Sequence, residues 1–270
     1  SARVMATIAN ILGESEKATE LSRLSTRVQE AFAGRFMRSN ARLAPHCQAS
    51  YVLALAYDLC PQDSRPYMLQ HLVDLVRAED NHASTGFLAT PLLFRVLADG
   101  GRADVAYDLL MNDSPPSWLY GVKQGATTIW ESLDAITPKG KLKFRSLNHF
   151  AFGCVGHFLH SRVAGLDISD IGLGKLSIQP KPGGGLEWAE AKFISVHGTC
   201  SAFWRLQQGV LKIEVEVPAN TRGELILPEA AGAEISTSNP ALLDSASSAT
   251  NDLRISDLPS GHYSFQYRPL

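Results

Sequence analysis

From residue 116 the chain reads Pro116-Ser117-Trp118-Leu119-Tyr120-Gly121-Val122-Lys123-Gln124-Gly125-Ala126-Thr127-Thr128-Ile129-Trp130-Glu131. Two tryptophans, a tyrosine and a carboxylate fall within one short, glycine-containing stretch. Aromatic faces beside a carboxylate suit a sugar, whose C–H faces stack on rings while its hydroxyls bond to the acid. Glu131 could be one of the two carboxylates that glycoside hydrolysis needs, where one protonates the leaving oxygen and the other activates water or attacks. The same position suits an exposed glutamate at the start of a helix, set favourably against the dipole. Asp134 would share a face with Glu131 if the segment is helical, and is expected to cap or orient rather than react. His149, between Asn148 and Phe150 at the expected start of an apolar helix, could bond a sugar hydroxyl or sit as a satisfied structural histidine.

Other candidate groups are weaker. His82-Ala83-Ser84-Thr85-Gly86-Phe87 is a polar, turn-forming run that could line a cleft, with capping of the following helix as the safer assignment. Glu79 and Asp80 are adjacent acids in an expected loop, and such charges are usually solvated. No GxSxG elbow supports a serine nucleophile. Gly183-Gly184-Gly185 lacks the GK[ST] and helix start of a phosphate loop. Cys47, Cys60, Cys154 and Cys200 are far apart, and Cys60 and Cys154 sit in apolar stretches as small hydrophobes. His46 beside Cys47 has no second pair at ligand spacing, so neither a metal nor another cofactor is expected.

The elements that must position these residues are legible from periodicity. With 270 residues, 45% of them hydrophobic, the chain can bury one large core or two smaller ones. A net charge of -2 argues against nucleic acid as a partner, and no apolar run has the length of a membrane span. Ser1 leads directly into a helical pattern, so an earlier native start is expected, and neither a cytoplasmic nor a secreted location is favoured. Leu21, Leu24, Val28 and Phe32 share one face of a helix ending near Gly34. Further helices are expected from Ala49 to Leu59, from Tyr67 to Val76, from Pro91 to Leu97, from Asp104 to Met111, and from Asn148 to Val163 with Gly165 as its stop.

After Gly172 the period changes to alternation. Strands are expected at Lys175–Gln179, Lys192–His197, Cys200–Gln207, Val210–Val217, Glu224–Leu227 and Tyr263–Tyr267, a spacing typical of a β-sandwich. The stretch from Ala230 to Ala249 is expected to be mostly an exposed, irregular connection. Antiparallel helices therefore occupy residues 1–168 and a β-sandwich 169–270, with the boundary near 165–174.

Several segments together resemble family 78 glycoside hydrolases, the bacterial and fungal α-L-rhamnosidases. They are Ser84-Thr85-Gly86-Phe87-Leu88-Ala89-Thr90-Pro91, Pro116-Ser117-Trp118-Leu119-Tyr120, Gly125-Ala126-Thr127-Thr128-Ile129-Trp130-Glu131 and Ser146-Leu147-Asn148-His149-Phe150-Ala151-Phe152-Gly153, followed by Val163-Ala164-Gly165-Leu166. Leu176-Ser177-Ile178-Gln179-Pro180 and Val215-Glu216-Val217-Pro218-Ala219-Asn220-Thr221 resemble the same family's C-terminal β-domain. The resemblance implies a mainly α region, the C-terminal part of an (α/α)6 barrel, followed by an all-β sandwich. It implies that Glu131 is the general base of an inverting hydrolase, that His149 contacts a terminal L-rhamnose, and that Trp130 and Trp118 lie in or near the cleft wall.

Two departures accompany the resemblance. The family usually follows the glutamate with Arg-Trp, where this chain has Ser132-Leu133. The family's general acid sits in an acidic, Arg- and Trp-containing motif in the first half of the barrel, which has no counterpart here. The acid is therefore expected outside this chain, and about half of the six helix pairs are represented. The expected partner is a rhamnose-containing glycoside, with a homodimer or a missing N-terminal half to cover the unpaired helices. A non-catalytic carbohydrate-binding or structural module, or an (α/α)-barrel hydrolase for another sugar, are the competing readings.

Overall fold

The computed structural model describes residues 1–270 apart from Ile171, Leu173 and Leu270. Ile171 and Leu173 fall in the stretch expected to hold the domain boundary, so that part of it lies outside the described residues. The chain forms two compact units, Ser1–Phe152 and Gly153–Leu270.

The first unit is helical. It comprises α1 (Ala2–Ile11), α2 (Ser15–Phe36), α3 (Gln48–Ala56), α4 (Arg65–Ala78), α5 (Gly86–Asp99), α6 (Ala103–Met111) and α7 (Trp118–Lys123). Its core forms where the 3- and 4-residue apolar steps of α3 to α6 meet: Tyr51, Val52 and Leu55 against Met68, Leu72 and Val76, and Leu93 and Leu97 beside Val105 and Leu109. The α1–α2 hairpin behaves differently. Along α2 only Ala18 is buried, while Leu24 and Val28 of the expected stripe are exposed, as are Val4, Met5 and Ile8 on α1. Asp58 ties this hairpin down. Its carboxylate pairs with Arg3 of α1 and with Arg65 of α4 at 2.6 Å, and its carbonyl accepts from Gln29 of α2.

The helix expected to open at Pro91 begins at Gly86, and Pro91 lies inside it. Proline removes one intrahelical rung there, and the segment before it is held by other bonds. Thr90 Oγ1 donates to the Gly86 carbonyl at 2.7 Å, and Gly86 itself takes a φ of +64° that favours glycine. No side chain caps α5, so the capping assignment of residues 82–87 is replaced by a tertiary anchor. Gln48, fully buried in α3, donates to the His82 carbonyl (2.9 Å) and accepts from the Ser84 N–H (3.0 Å). Asn112 adds bonds to the carbonyls of Asp80 and Asn81, both at 2.9 Å. This turn is therefore fixed from two helices before α5 starts.

No helix forms around Glu131 or Asp134, which removes the helix-start alternative for Glu131. Residues 126–150 are irregular, apart from a small hairpin bridged at Ile136 and Leu142. The last apolar helix also differs from its expected form. It runs through a 3-10 turn (Ala151–Cys154), α8 (Val155–Phe158) and a π turn (Leu159–Val163), and leaves Asn148, His149 and Phe150 outside. Among the described residues, no helix is long and apolar enough to cross a membrane.

The second unit is a β-sandwich. One sheet orders β1 (Leu166–Asp167), β2 (Lys175–Ile178), β6 (Arg222–Leu227), β9 (Asp252–Leu258) and β8 (Ser247–Ala249). The other orders β3 (Trp188–Ser195), β4 (Gly198–Gln207), β5 (Val210–Val217), β10 (Gly261–Tyr267) and β7 (Ser236–Thr237). Pairing is antiparallel except between β2 and β6. In β5, Leu211, Ile213, Val215 and Val217 are buried and the charged residues between them face outward, as alternation requires. Strand β9 escapes that pattern because its register against β6 shifts between Gly223 and Leu225, which breaks the two-residue period. The stretch from Ala230 to Ala249 carries β7, α9 (Ala241–Asp244) and β8, and Ala230 is buried, so it is more ordered than expected.

Gly165 closes the π turn at a φ of +91°, and a Cβ there would lie 2.3 Å from the Pro180 backbone nitrogen. Gly165→Ala is expected to cost roughly 2 kcal/mol or more, because the left-handed strain and a backbone clash coincide. Urea unfolding of the chain measures this, and an unchanged midpoint would remove the close approach from the account.

Candidate active site

The site is built on two irregular segments, 128–131 and 146–149, that bond to each other. Thr128 Oγ1 donates to the Leu147 carbonyl, and the His149 N–H donates to the Ile129 carbonyl at 2.8 Å. The Glu131 N–H donates to the Ser146 carbonyl at 3.0 Å. The Ser146 N–H donates in return to Glu131 Oε2 at 2.8 Å. Glu131 and His149, eighteen positions apart in sequence, thus stand on one backbone pairing.

Trp130 is buried against Tyr120 and Ala135, while Glu131 beside it is half-buried. Gly121 on α7 lies against the Trp130 ring, whose nearest atom would stand in ordinary contact, 3.9 Å, from a Cβ at that position. Helix α7 is short but well started, since the Ser117 hydroxyl accepts from the Tyr120 N–H at 3.1 Å. Tyr120 then donates its hydroxyl to the Ile136 carbonyl at 2.8 Å, which joins α7 to the loop behind Glu131.

Trp118 is also buried, and its indole N–H donates to the Phe152 carbonyl at 2.8 Å. Both tryptophans expected in or near the wall therefore lie in the packed layer behind Glu131 and His149. A ladder of rings leads outward from there. Phe94 meets Trp118 edge-on at 5.3 Å, Trp118 meets Phe152 at 6.0 Å, and Phe152 meets Phe87 at 5.3 Å. Phe87 stacks on His149 at 5.0 Å, and Phe150 stacks on the same imidazole at 5.3 Å. The sequence places Phe87 in a turn and both rings within the segments that resemble the family, but assigns neither a role in the site. No periodicity marks either, since each side chain is exposed.

Two carboxylates three positions apart have opposite surroundings. Glu131 has one oxygen held by a backbone amide, and Oε1 has no partner among the described residues. Asp134 has both oxygens occupied: Oδ1 accepts from Ser132 Oγ at 2.6 Å and Oδ2 pairs with Lys143. Burial pushes the Asp134 carboxyl up, but the bonds from Lys143 and Ser132 outweigh it and hold the group below the ordinary carboxylate range. Asp134 is an anchored anion that pins the hairpin, whereas Glu131 keeps one oxygen without a partner among the described residues. Among the described residues, no three metal-ligating side chains cluster.

The lowered pKa of Asp134 fixes a sign. A carboxylate depressed in the folded state contributes stability that is present above the ordinary value of about 4 and lost as pH falls through the depressed one. Asp134→Asn is therefore expected to be less stable than the parent at neutral pH, with the gap closing below about pH 4. Thermal unfolding of both proteins across that range measures it, and a gap independent of pH would remove the ionised pairing.

Comparison with known proteins follows the same outline. The family model for the bacterial alpha-L-rhamnosidase 6 hairpin glycosidase domain matches residues 1–163, and that for the bacterial alpha-L-rhamnosidase C-terminal domain matches residues 165–241. An alpha-L-rhamnosidase of Streptomyces avermitilis is 38% identical over 231 residues, which is 84% of this chain and 22% of the relative. One from Formosa agariphila is 36% identical over 232 residues, covering 84% of this chain and 25% of the relative. The crystal structure of the Streptomyces avermitilis alpha-L-rhamnosidase complexed with L-rhamnose superposes with a TM-score of 0.89 at 33% identity, over 98% of this chain and 26% of that one. The Aspergillus terreus enzyme gives 0.86 at 29% identity, over 98% and 29%. The chain thus spans about a quarter of the length of these relatives. With its helical unit matched through the glutamate and histidine segments, the chain belongs to the bacterial α-L-rhamnosidase six-hairpin glycosidase family.

Proposed function

We propose that this chain supplies the water-activating side of an inverting α-L-rhamnosidase, which releases terminal L-rhamnose from α-L-rhamnosides. Glu131 is the general base, and His149 contacts the sugar. Trp118 and Trp130 shape the wall of the sugar site from the layer behind it. The general acid comes from outside this chain. One observation carries the reading: Glu131 and His149 stand on a single backbone pairing, with one carboxylate oxygen left without a partner among the described residues.

In the reaction, Glu131 Oε1 takes a proton from a water on one face of the sugar as that water attacks the anomeric carbon. The acid protonates the glycosidic oxygen on the other face, so configuration inverts. The two carboxyls are expected to stand roughly 6.5–9.5 Å apart, which leaves room for the water. The Ser146 amide orients Glu131 through Oε2 and leaves Oε1 for the water, which suits a general base. The described residues present no second carboxylate with a free oxygen beside Glu131, since Asp134 is fully engaged.

Glu131→Gln is expected to lower rhamnose release from an aryl α-L-rhamnoside on the order of a hundredfold or more, measured with the upstream half of the barrel present. The amide oxygen can still accept from Ser146, so the loss reports chemistry rather than folding. Near-normal turnover removes Glu131 from the role. Turnover by this chain alone would require an acid within it and would overturn the divided site.

The exposed apolar residues of α1 and α2 make a second proposal: this chain associates through that hairpin, as a homodimer where the N-terminal half is absent. Light scattering should give a species larger than 29.3 kDa, and a monodisperse monomer overturns it.

A further inference from the structure

The His149 ring is fixed on three sides by groups that belong to different parts of the helical unit. Its Nδ1 accepts from the Ala151 N–H at 3.2 Å. A backbone amide can only donate, so in the neutral ring the proton must sit on Nε2. Nε2 has no protein partner among the described residues, which leaves an N–H donor facing outward. The ring plane is set by stacking. Phe87 lies 5.0 Å away with 21° between planes, and Phe150 lies 5.3 Å away with 6°. Phe87 and Phe150 make no ring contact with each other among the described residues, so each stacks on the imidazole in its own right.

The two plates are unequal. Phe150 is 88% exposed and sits on the same loop as His149, so it moves with the ring it covers. Phe87 is the second residue of α5, and that helix start is anchored through Gln48, Asn112 and the Thr85–Thr90 hydroxyl contact at 2.7 Å. Phe152 braces Phe87 edge-on, and Trp118 braces Phe152 while bonding its carbonyl. Phe87 is thus where the rigid helical core reaches a loop whose residues 139–148 are all exposed.

We infer that Phe87 is a positioning residue for His149: with Phe150 it clamps the imidazole so that Nε2–H is presented in one orientation to a hydroxyl of the bound sugar. The clamp itself is independent of the functional reading, while the hydroxyl acceptor rests on the rhamnoside assignment above. A flat ring at position 87 is required, and apolar bulk alone does not suffice, because an aliphatic side chain cannot define the plane of the imidazole.

The experiment is a long-range ¹H–¹⁵N correlation spectrum of the chain, with the His149 signals identified by their loss in His149→Gln, combined with titration of L-rhamnose. The parent should show the two widely separated nitrogen shifts of an Nε2–H tautomer. In Phe87→Leu the two shifts should move toward each other, and rhamnose affinity should fall about two- to tenfold, the scale of one aromatic stacking contact. Phe87→Tyr should restore both readouts. Unchanged His149 shifts in Phe87→Leu overturn the clamp, as does an equal loss in Phe87→Tyr. Phe150→Leu is the companion variant if Phe87→Leu fails to fold, since removing so exposed a ring costs little stability; unchanged His149 shifts there overturn the clamp equally. The two readings separate cleanly. His149 shifts that respond to Phe87 in a parent that binds no L-rhamnose keep the clamp and sink the rhamnoside assignment. Rhamnose binding by the parent that survives Phe87→Leu intact, with unmoved shifts, does the reverse.

Discussion

Four hydrogen bonds between segments 128–131 and 146–149 hold the candidate site together, and three of them use backbone groups at both ends or a backbone group and Glu131 itself. Backbone pairing tolerates almost any side chain, so it can carry chemistry on one face while the other face is spent on packing. The site uses that freedom: Trp130 goes inward and Glu131 stays at the surface.

Pairing alone would leave the loop floating, since residues 139–148 are exposed along their whole length. Two kinds of brace fix it. Aromatic rings run from Phe94 through Trp118, Phe152 and Phe87 to His149, and transmit the rigidity of α5 and α7 to the imidazole. Polar staples do the equivalent work on the backbone: Tyr120 to Ile136, Gln48 to the turn before α5, Asp134 to Lys143 and Ser132. Gln48 finds both its partners in the turn before α5, which is why a fully buried glutamine is tolerated in α3.

Much of this was readable in advance, and the exceptions share a cause. Helices α3, α4 and α6 announce themselves through 3- and 4-residue apolar steps, and β5 through strict alternation, because a single buried face imposes a single period. Glu131 and His149 stood out by type and by the motifs around them. Phe87 and Phe150 did not, since exposed rings that stack on a half-buried imidazole obey no burial period. The start of α5 was misplaced because Pro91 is normally a boundary, and the bonds that override it come from Gln48 and Asn112, far away in sequence. Strand β9 was missed where a register shift breaks alternation. Local rules fail where tertiary contacts supply the energy, and here that is at the site and at the bulge.

The contrast between Glu131 and Asp134 shows how one short loop assigns different work to two chemically similar groups. Both carboxylates lie beyond Trp130 and both are partly shielded. Asp134 meets a lysine and a hydroxyl, which saturate its oxygens and stabilise the anion. Such a group is a poor base, because taking a proton would forfeit those bonds. Glu131 meets only the Ser146 amide, which orients it through one oxygen and leaves the other unclaimed. The lysine that makes Asp134 structural reaches it from the far strand of the 135–143 hairpin, so the fold of that hairpin decides which acid is spent on structure. A carboxylate held by a neutral donor stays both aimed and available, and that is the property a water-activating base must have.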